Sequence, residues 1–326
     1  MTTSSQLTTG QTTTSGEDLA ICTRGLRKTY RNRKGRHVAV RGLDLEVPIG
    51  GVHGFLGPNG SGKTTTIRML LGLVRADSGT MSILGHEVPR RLPEVVGRVG
   101  AIVESPKFFP AFTGRKNLQL LADVVGRPRA AVDEVLEQAG LGGRGSDRYR
   151  TYSLGMKQRL AIAATLLKAP ELLIFDEPTN GLDPAGIREI RNTMRSLGEQ
   201  GKTVLVSSHI LDEVEQVADR VSIIGHGRLL ASGPVSDVIG DQSATSMKVG
   251  VADQAKAQRI LTDGGLVVRQ DSGMLVVLGV ADGAEITERL AAHHIYVNEL
   301  VPMRADLESV FLELTAEEGL ETVATS

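Results

Sequence analysis

The stretch GPNGSGKT, Gly57 to Thr64, fits the spacing G-x-x-x-x-G-K-[ST]. Its chemistry is phosphate binding. Gly57, Gly60 and Gly62 let backbone N–H groups turn inward and cradle phosphate oxygens, with Pro58, Asn59 and Ser61 between them. Lys63 reaches the β- and γ-phosphates, and the Thr64 hydroxyl is placed to coordinate Mg²⁺. Thr65 follows in the helix that begins near Lys63, whose positive end adds to the anion site. A second element, ELLIFDEP, ends an apolar run in two carboxylates, Asp176 and Glu177. Neighbouring strand residues face opposite ways, so the two acids can hold different jobs. Asp176 would bind Mg²⁺ through water, and Glu177 would orient or deprotonate an attacking water. A kinase would need an acceptor pocket. A GTPase would need Asn-Lys-x-Asp, which the sequence lacks.

The elements around these residues predict an α/β domain. GVHGFL reads as the strand before the glycine loop, and KTTTIRMLLGL as the helix after it. AICTRGLRKTY and HVAVRGLDLEV alternate apolar and polar positions, as half-buried strands do. The basic stretch RNRKGRH between them reads as a solvated hairpin tip. ELLIFDE is apolar on both faces, as a strand inside an α/β sheet should be. RVGAIVE, TVLVSSH and RVSIIGHGRLLA are further strand candidates. GRKNLQLLADVVG and RAAVDEVLEQAGL predict a helical insertion over about 108–155. GMKQRLAIAATLLKA and AGIREIRNTMRSLGEQG bracket the acidic strand, with Pro184 at a helix start. From about residue 241 the order becomes β-α-β-β-α-β plus a last helix, a ferredoxin-like module. That helix carries Leu307, Val310, Phe311 and Leu314 at helical spacing, which suits a core or dimer contact. His293 and His294 fall near a helix end and read as structural. The expected organisation is a Thr/Ser-rich disordered tail over 1–18, a nucleotide-binding domain over 19–240 and an accessory α+β domain over 241–326.

Composition limits the alternatives. The chain has 326 residues, 40% hydrophobic and 23% charged, with a formal net charge of −1. A near-neutral balance argues against a dedicated nucleic-acid binder. Cys22 is the only cysteine, which excludes an intramolecular disulfide and a multi-cysteine metal site. No apolar run approaches the roughly 18 residues of a membrane span. The first residues have no basic start or apolar segment, so they do not read as a secretory signal.

Further motifs carry a resemblance. YSLGMKQRLAIAATLL, from Tyr152, resembles the Leu-Ser-Gly-Gly-Gln signature of ATP-binding cassette (ABC) ATPases. NGLDP, with Asp183, resembles the D-loop, and His209 in SSHILDEVE resembles the switch histidine. Tyr30 is placed like the aromatic residue that stacks on adenine. The resemblance implies a P-loop cassette with a mixed sheet core, an antiparallel β edge and a helical subdomain. It also implies ATP and Mg²⁺, with Lys63, Glu177 and His209 as catalytic residues. Ser153 and Gly155 would meet the γ-phosphate of ATP bound to an opposing cassette, so the chain must pair with itself or a related subunit. Leu154 and Met156 depart from the general signature.

Within that family the chain is similar to ATPase subunits of bacterial drug and peptide-antibiotic exporters of the bacitracin- and daunorubicin-resistance type. The cues are ESP at Glu104, YSLGMKQRL and the terminal DLESVFLEL. The resemblance implies export of a drug, antibiotic peptide or lipid-like substrate through separate ABC-2-type permease subunits. The ATPase would then sit on the inner face of the cell membrane. A soluble ABC ATPase with a non-transport role, or an importer ATPase, are the other readings. Glu104 occupies the place where the family usually offers a glutamine that reaches Mg²⁺ and the attacking water. It could do the same, or point away as a surface acid. Phe108, Phe109 and Phe112, three of the six phenylalanines, follow it. They could line a groove for a permease helix, or pack under the helical insertion.

Overall fold

A computed structural model describes residues 19–32, 35–104, 107–240, 246–271, 273–280, 282–303, 307–308, 310–311 and 314. The predicted N-terminal tail lies outside the described residues, as do Ser105 and Pro106 of the ESP cue. The chain divides into two compact units, the first ending at Leu230 and the second beginning at Ala231.

The first unit opens with β1 (Leu19–Asn32), β2 (Gly35–Leu43), β3 (Glu46–Pro48), β4 (Gly51–Leu56) and helix α1 (Lys63–Leu70). β5 (Ser78–Ile83), β6 (His86–Glu87), α2 (Leu92–Val95) and β7 (Val99–Ile102) follow. The helices α3 (Gly114–Val124), α4 (Ala130–Gln138) and α5 (Leu154–Leu166) come next, before β8 (Leu172–Asp176). α6 (Pro184–Glu199), β9 (Thr203–Ser208), α7 (Leu211–Glu215), β10 (Arg220–Gly225) and β11 (Arg228–Pro234) follow, β11 straddling the boundary. One sheet has the order β2-β1-β5-β6 with β3 also on β1, all of its pairs antiparallel. The central sheet has the order β11-β10-β4-β9-β8-β7. Within it β10, β4, β9, β8 and β7 run parallel.

Alternation along β8 divides the core. Leu172 and Ile174 join Phe55, Ile67, Met69 and Leu70 on one side of the sheet. Leu173 and Phe175 join Leu160, Ile190, Met194 and Leu197 on the other. Both faces of β8 are covered, which is why it reads as a continuous apolar run. RVSIIGHGRLLA is not one strand. It breaks between β10 and β11 at His226 and Gly227, both at positive φ (42° and 81°), and so makes a tight turn. β5 and β6 leave no strand pattern in the sequence. In SGTMSI only Met81 and Ile83 are buried, and Ser, Gly and Thr fill the rest.

In the second unit α8 (Val235–Ile239) precedes β12 (Ser246–Val251), α9 (Gln254–Asp263), β13 (Val267–Asp271), β14 (Met274–Leu278), α10 (Gly283–Ala291) and β15 (Val297–Met303). The sheet order is β13-β14-β12-β15, antiparallel throughout. This is the ferredoxin-like arrangement expected from the sequence. Val249, Leu275 and Val277 meet Ala257, Leu261, Ile286 and Leu290 in its core. His293 and His294 are exposed just past α10. Of the last helix, Leu307 is buried and Val310, Phe311 and Leu314 are half-buried.

His53 is one of the buried titratable groups of the first unit. It sits on β4 and is 3% exposed, and its Nε2 lies 2.9 Å from Ser222 Oγ on β10. Burial first, then the Arg220 charge, push its pKa down from 6.5 to about 3. Between those values the unfolded chain takes up a proton that the folded chain refuses, so acid favours unfolding. The neutral-histidine contribution is complete above pH 6.5 and is lost as pH falls toward 3. His53→Val removes this linkage. Urea unfolding at pH 7.5 and pH 4.5 should show the variant losing roughly 2 kcal/mol less than the wild type on acidification. Any packing cost of the substitution is common to both pH values.

Candidate functional site

The glycine loop closes between β4 and α1 because nothing larger fits. A Cβ on Gly57 would lie 2.3 Å from Ile224 O, and one on Gly62 would lie 2.5 Å from Ala39 O. Gly62 also has φ +107°, a conformation that favours glycine, and is the residue from which α1 starts. Ser61 N–H donates to Pro58 O at 3.1 Å, which tightens the turn. Lys63 is buried, and its ammonium donates to Gly57 O at 2.7 Å and Pro58 O at 3.3 Å. Ser61 Oγ is buried without a hydrogen-bond partner. A loop of this build, with an orphaned hydroxyl and an ammonium folded onto carbonyls, fits an anionic group.

The acid pair is separated by a backbone turn. β8 ends at Asp176, and Glu177 already has φ +51°. Strand alternation therefore does not set their directions, contrary to the expectation from sequence. Ser207 on β9 organises both. Its hydroxyl donates to Asp176 Oδ1 at 2.5 Å and accepts the Glu177 N–H at 3.0 Å. Glu177 then spans the site. Its Oε1 is 3.3 Å from Lys63 Nζ, and its Oε2 is 2.8 Å from His209 Nδ1. Thr64 and Asp176 supply hard oxygen donors of the kind Mg²⁺ takes, usually few from protein and the rest from water and phosphate. No group of three or more His, Cys, Asp or Glu forms a closed metal cage among the described residues.

A cleft of about 210 Å³ opens over the loop. Asn59, Gly60, Gly62, Lys63, Thr64, Thr65 and Glu177 line one part of it, and Tyr30, His37 and Ala39 the other. Glu104, Ser153, Gly155 and Asp183 do not line it. Glu104 is exposed and its Oε1 pairs with Arg68 of α1 at 3.0 Å. Ser153 caps α5 by accepting the Met156 N–H at 3.2 Å, and Asp183 caps α6 by accepting the Gly186 N–H at 3.0 Å. These two helix starts adjoin. A Cβ on Gly155 would lie 3.6 Å from Gly186 Cα, and one on Gly181 would lie 3.5 Å from Leu154 Cδ2.

The family model for ABC transporters matches residues 40–180. The bacitracin transport ATP-binding protein BcrA of Bacillus licheniformis is 40% identical over 300 residues, 90% of this chain and 96% of that protein. The daunorubicin/doxorubicin resistance ATP-binding protein DrrA of Streptomyces peucetius is 36% identical over 308 residues, 91% and 92% of the two chains. The chain is an ABC transporter ATP-binding protein. The fold agrees with a solved cassette from Clostridium perfringens described as part of the ABC transporter complex cbiONQ. That match has a TM-score of 0.62 and 27% identity, and covers 69% of this chain and 92% of the other. As a member of this family the protein is an ATPase whose hydrolysis is coupled to transport. Among the described residues no helix is long and apolar enough to cross a membrane.

This ABC ATPase has a second concavity, a groove of about 420 Å³ alongside β7, walled also by α3 and α5. Ile102, Glu104, Phe108, Phe109, Leu121 and Ala164 are among its walls. Phe108 and Phe109 both line it but differ in their packing. Phe108 packs edge-on against Tyr149, ring centroids 5.3 Å apart, beside the helical core. Phe109 is 61% exposed and leans on Phe112 at 5.2 Å. Buried Asn117 fixes this loop. Its Oδ1 accepts the Phe109 N–H at 2.9 Å, and its Nδ2 donates to Phe109 O at 3.2 Å and Thr113 O at 3.0 Å. Sequence reasoning missed Asn117, Arg68, His37 and Ser207. Ser207 stands two residues before His209, but a serine there does not signal its contacts with the acids.

Ser207 touches the site only through the acids, so it is a positioning residue. Ser207→Ala should lower the ATPase kcat by about tenfold, in the range of supporting-shell mutations. Nucleotide affinity, measured by titration without turnover, should stay within about twofold. An unchanged kcat would show that β8 and β9 position the acids without it.

Proposed function

We propose that this protein binds and hydrolyses ATP to drive export of an antibiotic, drug or lipid-like molecule through separate membrane permease subunits of the ABC-2 type. The observation that carries the catalytic part is the continuous line Lys63–Glu177–His209 at the floor of the glycine-loop cleft. The substrate class is supported by relatives named for bacitracin transport and daunorubicin/doxorubicin resistance.

In this reading Tyr30 stacks on adenine and the glycine loop wraps the phosphates, from Gly57 through Thr65. Lys63 offsets phosphate charge. Mg²⁺, when bound by the Thr64 hydroxyl and Asp176, supplies further charge neutralisation at the phosphates. Glu177 takes the proton of the attacking water, or orients it, and His209 holds the carboxylate in place. Ser153 and Gly155 open α5 away from the cleft, so an anion site there serves a nucleotide held by a second cassette. Asp183 lies beside it in the same surface. ATP bridging two copies, and phosphate release loosening them, would convert hydrolysis into motion. The groove beside Phe109 would receive a helix of the permease, an exposed aromatic on a fixed loop being a common interface anchor. Glu104, tied to Arg68 of the P-loop helix, links groove and cleft. It would move to water or Mg²⁺ only by releasing that surface ion pair, a small cost.

Glu177→Gln should slow hydrolysis by about 100-fold or more and retain ATP binding. It should also accumulate ATP-bound dimers, seen by size-exclusion chromatography with light scattering. Hydrolysis at the normal rate would remove Glu177 from the water-activating role. Phe109→Ala should leave the ATPase of the isolated subunit within about twofold. It should reduce copurification with a coexpressed permease several-fold, as expected for an aromatic anchor.

A further inference from the structure

We infer that His37 is a specificity-determining residue of the nucleotide site, hydrogen-bonding a ribose hydroxyl of the bound nucleotide. The inference rests on the nucleotide reading of the cleft and adds a residue to it. Four observations carry it.

First, Tyr30 and His37 are directly opposite each other in the antiparallel β1–β2 pair, and both line the cleft. Side chains directly opposite share a face of the ribbon. The base-stacking wall and the imidazole are therefore presented together. Second, Ala39 marks the phosphate end of that wall. It also lines the cleft, and its carbonyl packs so closely on Gly62 that a Cβ there would approach to 2.5 Å. His37 is two residues away on the same strand, across a break in the β1–β2 register at Ala39, and lines the same cleft. A nucleotide laid from the glycine loop toward Tyr30 passes phosphates, then ribose, then base. The group that follows the phosphates falls beside His37.

Third, the Tyr30 ring is already braced from outside the cleft. Lys28 Nζ lies 5.5 Å from its centroid and is itself held by Arg75 O at 2.7 Å and Asp77 Oδ1 at 3.0 Å. Lys28 does not line the cleft. Tyr30 thus offers a fixed stacking surface, and reading of the sugar is left to a neighbour. Fourth, the His37 imidazole is exposed and has no hydrogen bond or ion pair among the described residues. A neutral imidazole has one donor and one acceptor nitrogen. A ribose hydroxyl both donates and accepts, so either tautomer finds a match.

The test is calorimetric titration of the wild type, His37→Ala, His37→Gln and Lys63→Ala with ATP, 2′-deoxy-ATP, 3′-deoxy-ATP and GTP, all with Mg²⁺. The wild type should prefer ATP over at least one deoxy analogue by about three- to tenfold, the range of one net hydrogen bond. His37→Ala should bring that ratio close to one while still binding ATP. His37→Gln, whose amide keeps a donor and an acceptor, should restore part of it. The ATP-to-GTP ratio should be the same in the wild type and both His37 variants. A wild-type protein indifferent to the sugar hydroxyls overturns the inference, as does a His37→Ala variant with the wild-type ratio. A change in the ATP-to-GTP ratio alone would assign His37 to the base and overturn it too. Lys63→Ala separates the two readings. Loss of affinity for all four nucleotides upholds the cleft whatever His37 does, and normal affinity defeats the nucleotide reading itself.

Discussion

Everything at the catalytic end depends on the in-register parallel pairing of β4, β9 and β8. Parallel strands bring their C-terminal ends to one edge, where ligands of α/β sheets bind. Here β4 ends in the glycine loop, β8 in Asp176 and Glu177, and β9 in Ser207 and Ser208, just before His209. The register pairs Leu56 with Ser208 and Asp176 with Ser207. Phosphate loop, acids and histidine therefore emerge side by side, although the loop lies more than a hundred residues before the acids in the chain.

That register is enforced by burial. Leu172 and Ile174 face one apolar cluster, and Leu173 and Phe175 the other. Val204 and Val206 on β9 alternate with Leu205 in the same way. A slip of one residue would exchange every side chain between faces. The well-packed layers on the two sides differ in shape, so the exchange would create voids and overlaps at once. Core packing is thus also what aims the catalytic groups. The antiparallel sheet contributes differently. β1 and β2 place Tyr30, His37 and Ala39 along the cleft, so its walls come from both the parallel sheet and the hairpin.

Features dictated by short, chemically constrained spacing were legible in the sequence. The glycine loop, the acids ending ELLIFDE and the ferredoxin-like order all follow from local pattern. Features set by long-range register were not. Nothing near Ser207 signals that its hydroxyl joins both acids, because that contact exists only once β8 and β9 pair. The same holds for Glu104, whose partner Arg68 lies on a different element. Phe108 and Phe109 are adjacent in sequence yet divide between core and solvent, a distinction made by the Asn117 hydrogen bonds. SGTMSI lacks a strand signal because only Met81 and Ile83 of it are buried. Strand alternation, expected to aim the two acids differently, does not set their directions, since a backbone turn separates them.

That turn is informative about how the site works. A non-glycine residue at positive φ costs of order 1 kcal/mol, and Glu177 adopts it at the exit of a buried strand. The cost is offset locally. Its N–H is held by Ser207, and its two carboxylate oxygens meet Lys63 and His209. A strand residue at that place would send its side chain along the sheet normal, toward one of the apolar layers. The left-handed turn instead sweeps the carboxylate across the ends of β4 and β9, between the ammonium and the imidazole. The same hydrogen bonds that hold the turn therefore hold the carboxylate where a water beside bound phosphate would need a base.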